Sequence, residues 1–352
     1  MATKNKTRTS HIPHVTKTRG AVKEANERYA AAEAVKRRSS NLLSPADING
    51  KYDVARVLST TLGGQIRPLT DEDLQIFQDN INTVARHYNK GLTAQKIINL
   101  SSDGDRKRAS EQIHYAVPSS ANRGTVRFIT NAGPDSDVKR HFVVVKMLDY
   151  ASSSVVPGDP MKIAKKMAVS SPLQIWCDCS QFRFRLSYIC TIGGLNAIGA
   201  ERNYPKITNP TLTGVACKHI LRTMQDIQRS SSILRVIGRM VQRAQTDAAT
   251  QQERITESEA RQIAQQQART QREVELKLPT AKSEWDPLRA RIKKKWTADK
   301  EKSQTTTVEK EKRPAKTADR ARADALKNLR KLKDLGQLSQ ADYNKILATL
   351  QK

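Results

Sequence analysis

Aromatic residues are scarce in this 352-residue chain, at 5%, and 28% of residues are charged, with a mean hydropathy of -0.64. So little core-forming material excludes a single hydrophobic core running the whole length. No stretch approaches the roughly 18–20 consecutive apolar residues that a membrane-crossing helix needs. The first residues, MATKNKTRTSHIPHVTKTRG, are basic but contain no apolar run and no small-residue cleavage site, so they do not read as a secretory signal. Also missing are a glycine-rich phosphate loop ending in Lys-Ser/Thr, a Gly-x-Ser-x-Gly elbow and a His-Glu-x-x-His pair. The chain is therefore expected to be no enzyme, to take no small-molecule substrate and to enter no membrane. Asp103, Asp105, Asp135 and Asp137 read as turn acids beside Gly or Pro. A nuclease assembled from such distant carboxylates is a weaker alternative.

What the chain has in excess is positive charge. Lys and Arg number 62 against 35 Asp and Glu, a formal net charge of +27 and a pI near 10.1. Nucleic acid is the first partner this implies, with DNA bound without sequence preference through phosphate neutralisation. Acidic protein partners are the alternative, and a solvated basic surface is the plain one.

The charge is unevenly spread. Residues 1–45 hold ten Lys/Arg against three Asp/Glu and read as a disordered basic arm, with at most a nascent helix over 21–38. Lys4, Lys6, Arg8, Lys17, Arg19, Lys36, Arg37 and Arg38 are its candidate phosphate contacts. His11 and His14 in this arm read as solvated. A second basic linker spans 279–317, where Arg291, Lys293, Lys294 and Lys295 lie between Trp285 and Trp296. Those aromatics can stack on exposed bases or anchor in a partner groove.

Between the basic segments, 46–230 reads as an α+β globular domain. Thr70 and three following acids start a helix to about residue 88, Thr93 caps a second to 100, and a third is expected over 106–116, before Pro118. Segments 125–130 and 139–148 read as a hairpin, and His141 at the start of the second reads as a packing or edge hydrogen-bonding residue. A helix over 161–168 leads to a second strand pair, 173–179 and 182–190, and a helix covers 218–228. From 231 to about 278 a long helix or weak coiled coil is expected, and 318–352 reads as a helical hairpin hinged at Gly336, with a leucine-rich face suited to homo-oligomerisation.

The four cysteines carry the chemistry. With no secretion signal, disulfides are disfavoured. Cys177-Asp178-Cys179 and Cys217-Lys218-His219 each place two metal donors two residues apart, with 37 residues between the pairs. Zinc in a closed structural site takes four tetrahedral S/N ligands, which Cys177, Cys179, Cys217 and His219 supply. At a strand end, residues i and i+2 point the same way, so both thiolates of the first pair reach one ion. Two alternatives stand: Cys190, expected within a strand, displaces His219, or the four thiols are unrelated.

The pattern Cys-x-Cys…Cys-x-His followed by an apolar helix (CKHILRTM) resembles the SWIM-type zinc finger over residues 173–228. The resemblance implies a small ββα module with a Zn2+ ion on Cys177, Cys179, Cys217 and His219, engaged in DNA binding and protein contact. The span between the pairs is longer than in most of that family and carries an insertion with Phe182, Phe184, Tyr188 and Tyr204. Together, CDC, FRFR, YPKITNP and CKH look similar to SWIM-like proteins of tailed bacteriophages. That implies a virion or morphogenesis component, located in the virion or host cytoplasm. The tail, LKNLRKLKDLGQLSQADYNKILATL, resembles the SHOCT-type helical hairpin, a module associated with oligomerisation.

Overall fold

Arg123 and Gly124 both take positive φ, 45° and 78°, which makes Asn122-Arg-Gly-Thr125 a two-residue hairpin turn whose twist matches the strands it joins. This turn organises the central sheet of the computed structural model, which describes residues 10–36, 42–48, 59–88, 91–246 and 252–270, together with Gln340 and Asn344. The chain divides into units 1–290 and 291–352, and the helices and strands named below all belong to the first.

In chain order the elements are α1 (Ile12–Thr16), α2 (Ala21–Lys36), α3 (Pro45–Ile48), β1 (Ser59–Thr60), β2 (Arg67–Pro68), α4 (Asp71–Tyr88), α5 (Ala94–Asn99) and α6 (Asp103–Gln112). Strands β3 (Ala116–Asn122), β4 (Thr125–Asn131) and β5 (Arg140–Met147) are followed by α7 (Tyr150–Ser154), α8 (Pro160–Ser170) and β6 (Leu173–Cys177). A π-helical turn, Phe182–Leu186, runs into α9 (Ser187–Ile192), and α10 (Lys218–Arg229), α11 (Ser231–Thr246), β7 (Gln252–Arg254) and α12 (Glu257–Thr270) complete the set. The fold is mixed α+β, with a two-stranded antiparallel sheet and a five-stranded antiparallel one in the order β6-β5-β4-β3-β7.

Strand parity shows how the larger sheet is covered. Phe142, Val144 and Trp176 share one face, where Tyr29 of α2 meets Trp176 edge-on at 5.8 Å and Arg28 lies over the Phe142 ring at 5.0 Å. His141, Val143 and Cys177 share the other face, where His219 of α10 meets the His141 ring at 4.4 Å. The sheet is thus sandwiched, and its central strands are buried on both sides.

Several sequence expectations hold. The hairpin of β4 and β5 forms, α4 follows Thr70, and the Thr93 hydroxyl accepts from Lys96 N–H to cap α5. Others are corrected. The third helix ends at Gln112, and Ala116–Asn122 is a strand despite Pro118. Proline has no N–H to donate, and here it sits at a register irregularity, outside the residues that pair with β7. The expected strand over 182–190 is helical. Its loosened turn is stabilised from the insertion, because the Thr208 hydroxyl donates to Phe184 C=O and Asn209 Nδ2 to Arg185 C=O at 3.0 Å.

The single long helix expected over 231–278 is also corrected. α11 ends at Thr246, β7 returns to pair with β3, and Thr256 accepts from Glu259 N–H at the start of α12. Arg239 bridges Glu253 and Glu259, which ties the three pieces together. The sparse apolar residues of α12, Ala260, Ile263 and Ala264, are buried in the same core, so α12 has no coiled-coil stripe left over. The arm read as disordered is, over 10–36, two helices, with Val15 and Ala21 buried. The hairpin expected over 318–352 lies outside the described residues, apart from Gln340 and Asn344.

A Cβ on Gly124 would stand 2.5 Å from Tyr150 Cβ, on a backbone that already disfavours side chains. Gly20 also has positive φ, 73°, but nothing within 4 Å. Gly124→Ala is expected to cost about 2–4 kcal/mol and Gly20→Ala about 1 kcal/mol. Chemical denaturation of both variants checks the difference, and equal losses would contradict the close packing of Tyr150.

Candidate metal centre

Cys177 is the last residue of β6, and its place opposite Val143 sends its side chain toward α10. Cys179 follows just past the strand end, where its sulfur accepts from Phe182 N–H at 3.4 Å. Cys217 is the N-cap of α10, and His219 lies in that helix's first turn. A sheet edge and a helix start thus bring together donors that are far apart in sequence. The four ligand atoms lie within 4.8 Å of one another and all four residues are buried. Cys177 Sγ is 3.8 Å and Cys217 Sγ 3.9 Å from His219 Nδ1. Tetrahedral ligands at bond lengths of about 2.0–2.3 Å stand about 3.5–3.8 Å apart, so the two pairs to His219 already match and the widest separation would close by about 1 Å around a metal ion.

The electrostatics suit a cation. Burial pushes the Cys177 thiol well up, and the neighbouring Cys179 and Cys217 add to this. Burial acts the same way on Cys217, but hydrogen bonds from Cys177 and Cys179 and the backbone N–H groups of Ile220 and His219 outweigh it and hold that thiol well below its ordinary value. A thiolate at a helix N-terminus is the expected outcome. Burial also lowers the His219 pKa, which keeps the imidazole neutral as ligation requires, and Nε2 has no hydrogen-bond partner.

Asp178 lies between the two cysteine ligands. Its carboxylate accepts from Phe142 N–H at 3.0 Å, His141 Nδ1 at 2.8 Å and Arg28 Nη1 at 3.1 Å. Burial alone would raise its pKa, but these partners, His141 foremost, lower it. Arg28 also donates to Arg140 C=O at 2.7 Å, and Arg140 reaches Glu24 and the carbonyls of His14 and Lys17. The amino-terminal helices are thereby fastened beside the cluster. The packing or edge role expected for His141 understates its position, and Arg28 carried no signal in a segment read as a solvated arm.

Cys190 lies outside the cluster. It is buried in α9, its thiol donates to Val215 C=O at 3.3 Å, and burial raises its pKa. Of the basic candidates, Lys17 and Arg19 are exposed in the link between α1 and α2, and Lys36 ends α2. Lys4, Lys6, Arg8, Arg37, Arg38, Arg291, Lys293, Lys294 and Lys295 lie outside the described residues. Among the described residues no helix is long and apolar enough to cross a membrane. No family model, curated protein or solved structure matches the chain.

Purified protein is expected to carry one equivalent of metal. Cys217→Ser should lose it together with more than about 4 kcal/mol of stability, the scale of losing a structural metal. Cys190→Ser should retain it. Elemental analysis and thermal melting of both variants check this, and metal loss in Cys190→Ser would return Cys190 to the ligand set.

Proposed function

We propose that the chain is a zinc-stapled structural protein that associates with nucleic acid through its basic segments. The observation that carries the reading is the buried Cys177, Cys179, Cys217 and His219 cluster, with four donor atoms within 4.8 Å. Three sulfurs and one nitrogen favour Zn2+ over the oxygen-seeking Mg2+ and Ca2+, and a four-donor closed set leaves no position for activated water. The metal's role is to hold β6 against α10. Of the ββα unit that the resemblance implies over 173–228, β6 and α10 are present, while the strand that pairs with β6 is β5, from outside that span. The reading as a component of a tailed-bacteriophage particle, in the virion or host cytoplasm, rests on that resemblance alone.

The net charge of +27 supports nucleic acid as the partner, bound to phosphates without sequence preference and, as the resemblance implies, DNA. A second reading, a scaffold for other protein subunits, has its own support. Among the described residues, five of the seven large exposed apolar side chains, Leu148, Val155, Val156, Met161 and Val169, fall within one stretch of 22 residues.

Retention of duplex DNA at low salt, declining linearly on a log–log plot as salt rises, is the expected behaviour. Replacing Arg291, Lys293, Lys294 and Lys295 with Gln should flatten the slope by about 3.6, since each phosphate contact contributes about 0.9. Absence of binding at low salt would remove the nucleic-acid reading and leave the scaffold.

A further inference from the structure

A cavity of about 440 Å³ opens beside the metal cluster, and Ser136, His141, Asp178, Arg183 and Lys218 are among its lining residues. Ser136 Oγ stands 3.3 Å from His141 Nε2, and His141 Nδ1 stands 2.8 Å from Asp178 Oδ1. An ionised carboxylate can only accept, so His141 Nδ1 carries a proton, and in the neutral imidazole Nε2 then offers a lone pair. In that form the Ser136 hydroxyl donates to Nε2, and Val138 N–H donates to Ser136 Oγ at 3.4 Å. A hydroxyl on an imidazole, itself oriented by a buried carboxylate, is the arrangement that activates a serine.

The carboxylate is fixed in its turn by Phe142 N–H and Arg28, so the imidazole has a defined orientation. Two cationic side chains share the cavity. Lys218 Nζ is held by Gln112 Oε1 at 2.7 Å, and Arg183 Nη2 donates to Asp178 C=O at 3.2 Å. Such donors suit the negative charge that develops on a carbonyl oxygen under attack.

We propose that Ser136, His141 and Asp178 form a nucleophilic centre that hydrolyses a small carboxylic ester, with solvent water as the second reactant. Ser136 Oγ attacks the carbonyl carbon while its proton passes to His141 Nε2. The alcohol leaves with that proton and the acyl group stays on Ser136. Water then attacks the acyl carbon and gives a proton to Nε2. The bond to Ser136 breaks, the proton returns to Oγ and the acid departs, with nothing oxidised or reduced. The metal takes no part in these steps, and nucleic-acid binding is independent of them. Ser136, His141 and Asp178 are separated by 5 and 37 positions and form no contiguous motif, which is why motif scanning points to no enzyme.

The purely structural alternative is that Ser136 closes its own loop, where its N–H also donates to Gly133 C=O at 3.3 Å. A fluorophosphonate probe on the full-length, metal-loaded protein separates the two, with adducts mapped by mass spectrometry and turnover followed with p-nitrophenyl acetate. The expected result is one adduct, on Ser136, lost in Ser136→Ala. Labelling and turnover should slow about 100-fold or more in His141→Gln. Ser136→Ala, a change in a half-exposed loop, should keep metal content, melting and DNA retention unchanged. No adduct on Ser136 in the wild-type protein would overturn the proposal, as would labelling of a metal-loaded His141→Gln at the wild-type rate. Should His141→Gln lose its metal, the wild-type and Ser136→Ala pair decides alone.

Discussion

The buried carboxylate of Asp178 is where three parts of the molecule meet. A lone carboxylate at that depth would be protonated, because desolvation penalises its charged form. It is held ionised by a backbone N–H and an imidazole from β5 and a guanidinium from α2. Two donors come from β5 and one from α2, so one charge fixes the start of β5, the turn between Cys177 and Cys179 and the docking of the amino-terminal helices. Removing any donor leaves a buried charge less compensated, which costs more than the contact itself contributes.

That junction explains why a basic amino-terminal segment is not simply a tether. Arg28 and Arg140 both lie over the Phe142 ring, at 5.0 and 5.3 Å, and Glu24 pairs with both guanidiniums. Their charge is used internally, against carboxylates, carbonyls and an aromatic face, and is not displayed to a polyanion. Net charge counted along a sequence overstates what is available for phosphate. The exposed Lys17 and Arg19 sit in the same stretch as the sequestered Arg28.

The Cys177, Cys179, Cys217 and His219 cluster was legible because two short spacings, in a chain with only four cysteines, name their donors without reference to the fold. The β4–β5 hairpin and the cap of α5 were legible for a similar reason, since turn and capping chemistry is local. What failed depended on distant partners. The helical fate of 182–192 rests on Thr208 and Asn209, β3 exists despite Pro118 because β4 and β7 flank it, and the break after Thr246 is held by Arg239 across to Glu253 and Glu259. Local preference for strand in FRFRLSYIC was overridden by tertiary hydrogen bonds. His141 could be placed at a strand start, but nothing in its neighbourhood announced a carboxylate 37 residues away.

The long span between the cysteine pairs follows from the same division between local and distant. Closing a flexible loop becomes costlier only slowly with length, by about 0.6 kcal/mol for each doubling, so a metal that pins both ends tolerates a large insertion. The insertion also holds itself in place. Tyr204 is fully buried, stacks on Phe77 of α4 at 4.3 Å and pairs through its backbone with Leu43, while Lys206 and Thr60 join it to β1. The segment that looked like an interruption of a small metal module therefore forms the layer connecting that module to α4 and the amino-terminal part of the fold. In a chain with 5% aromatic residues, placing Tyr188 and Tyr204 there puts scarce core material in the segment whose two ends the Cys/His cluster brings together.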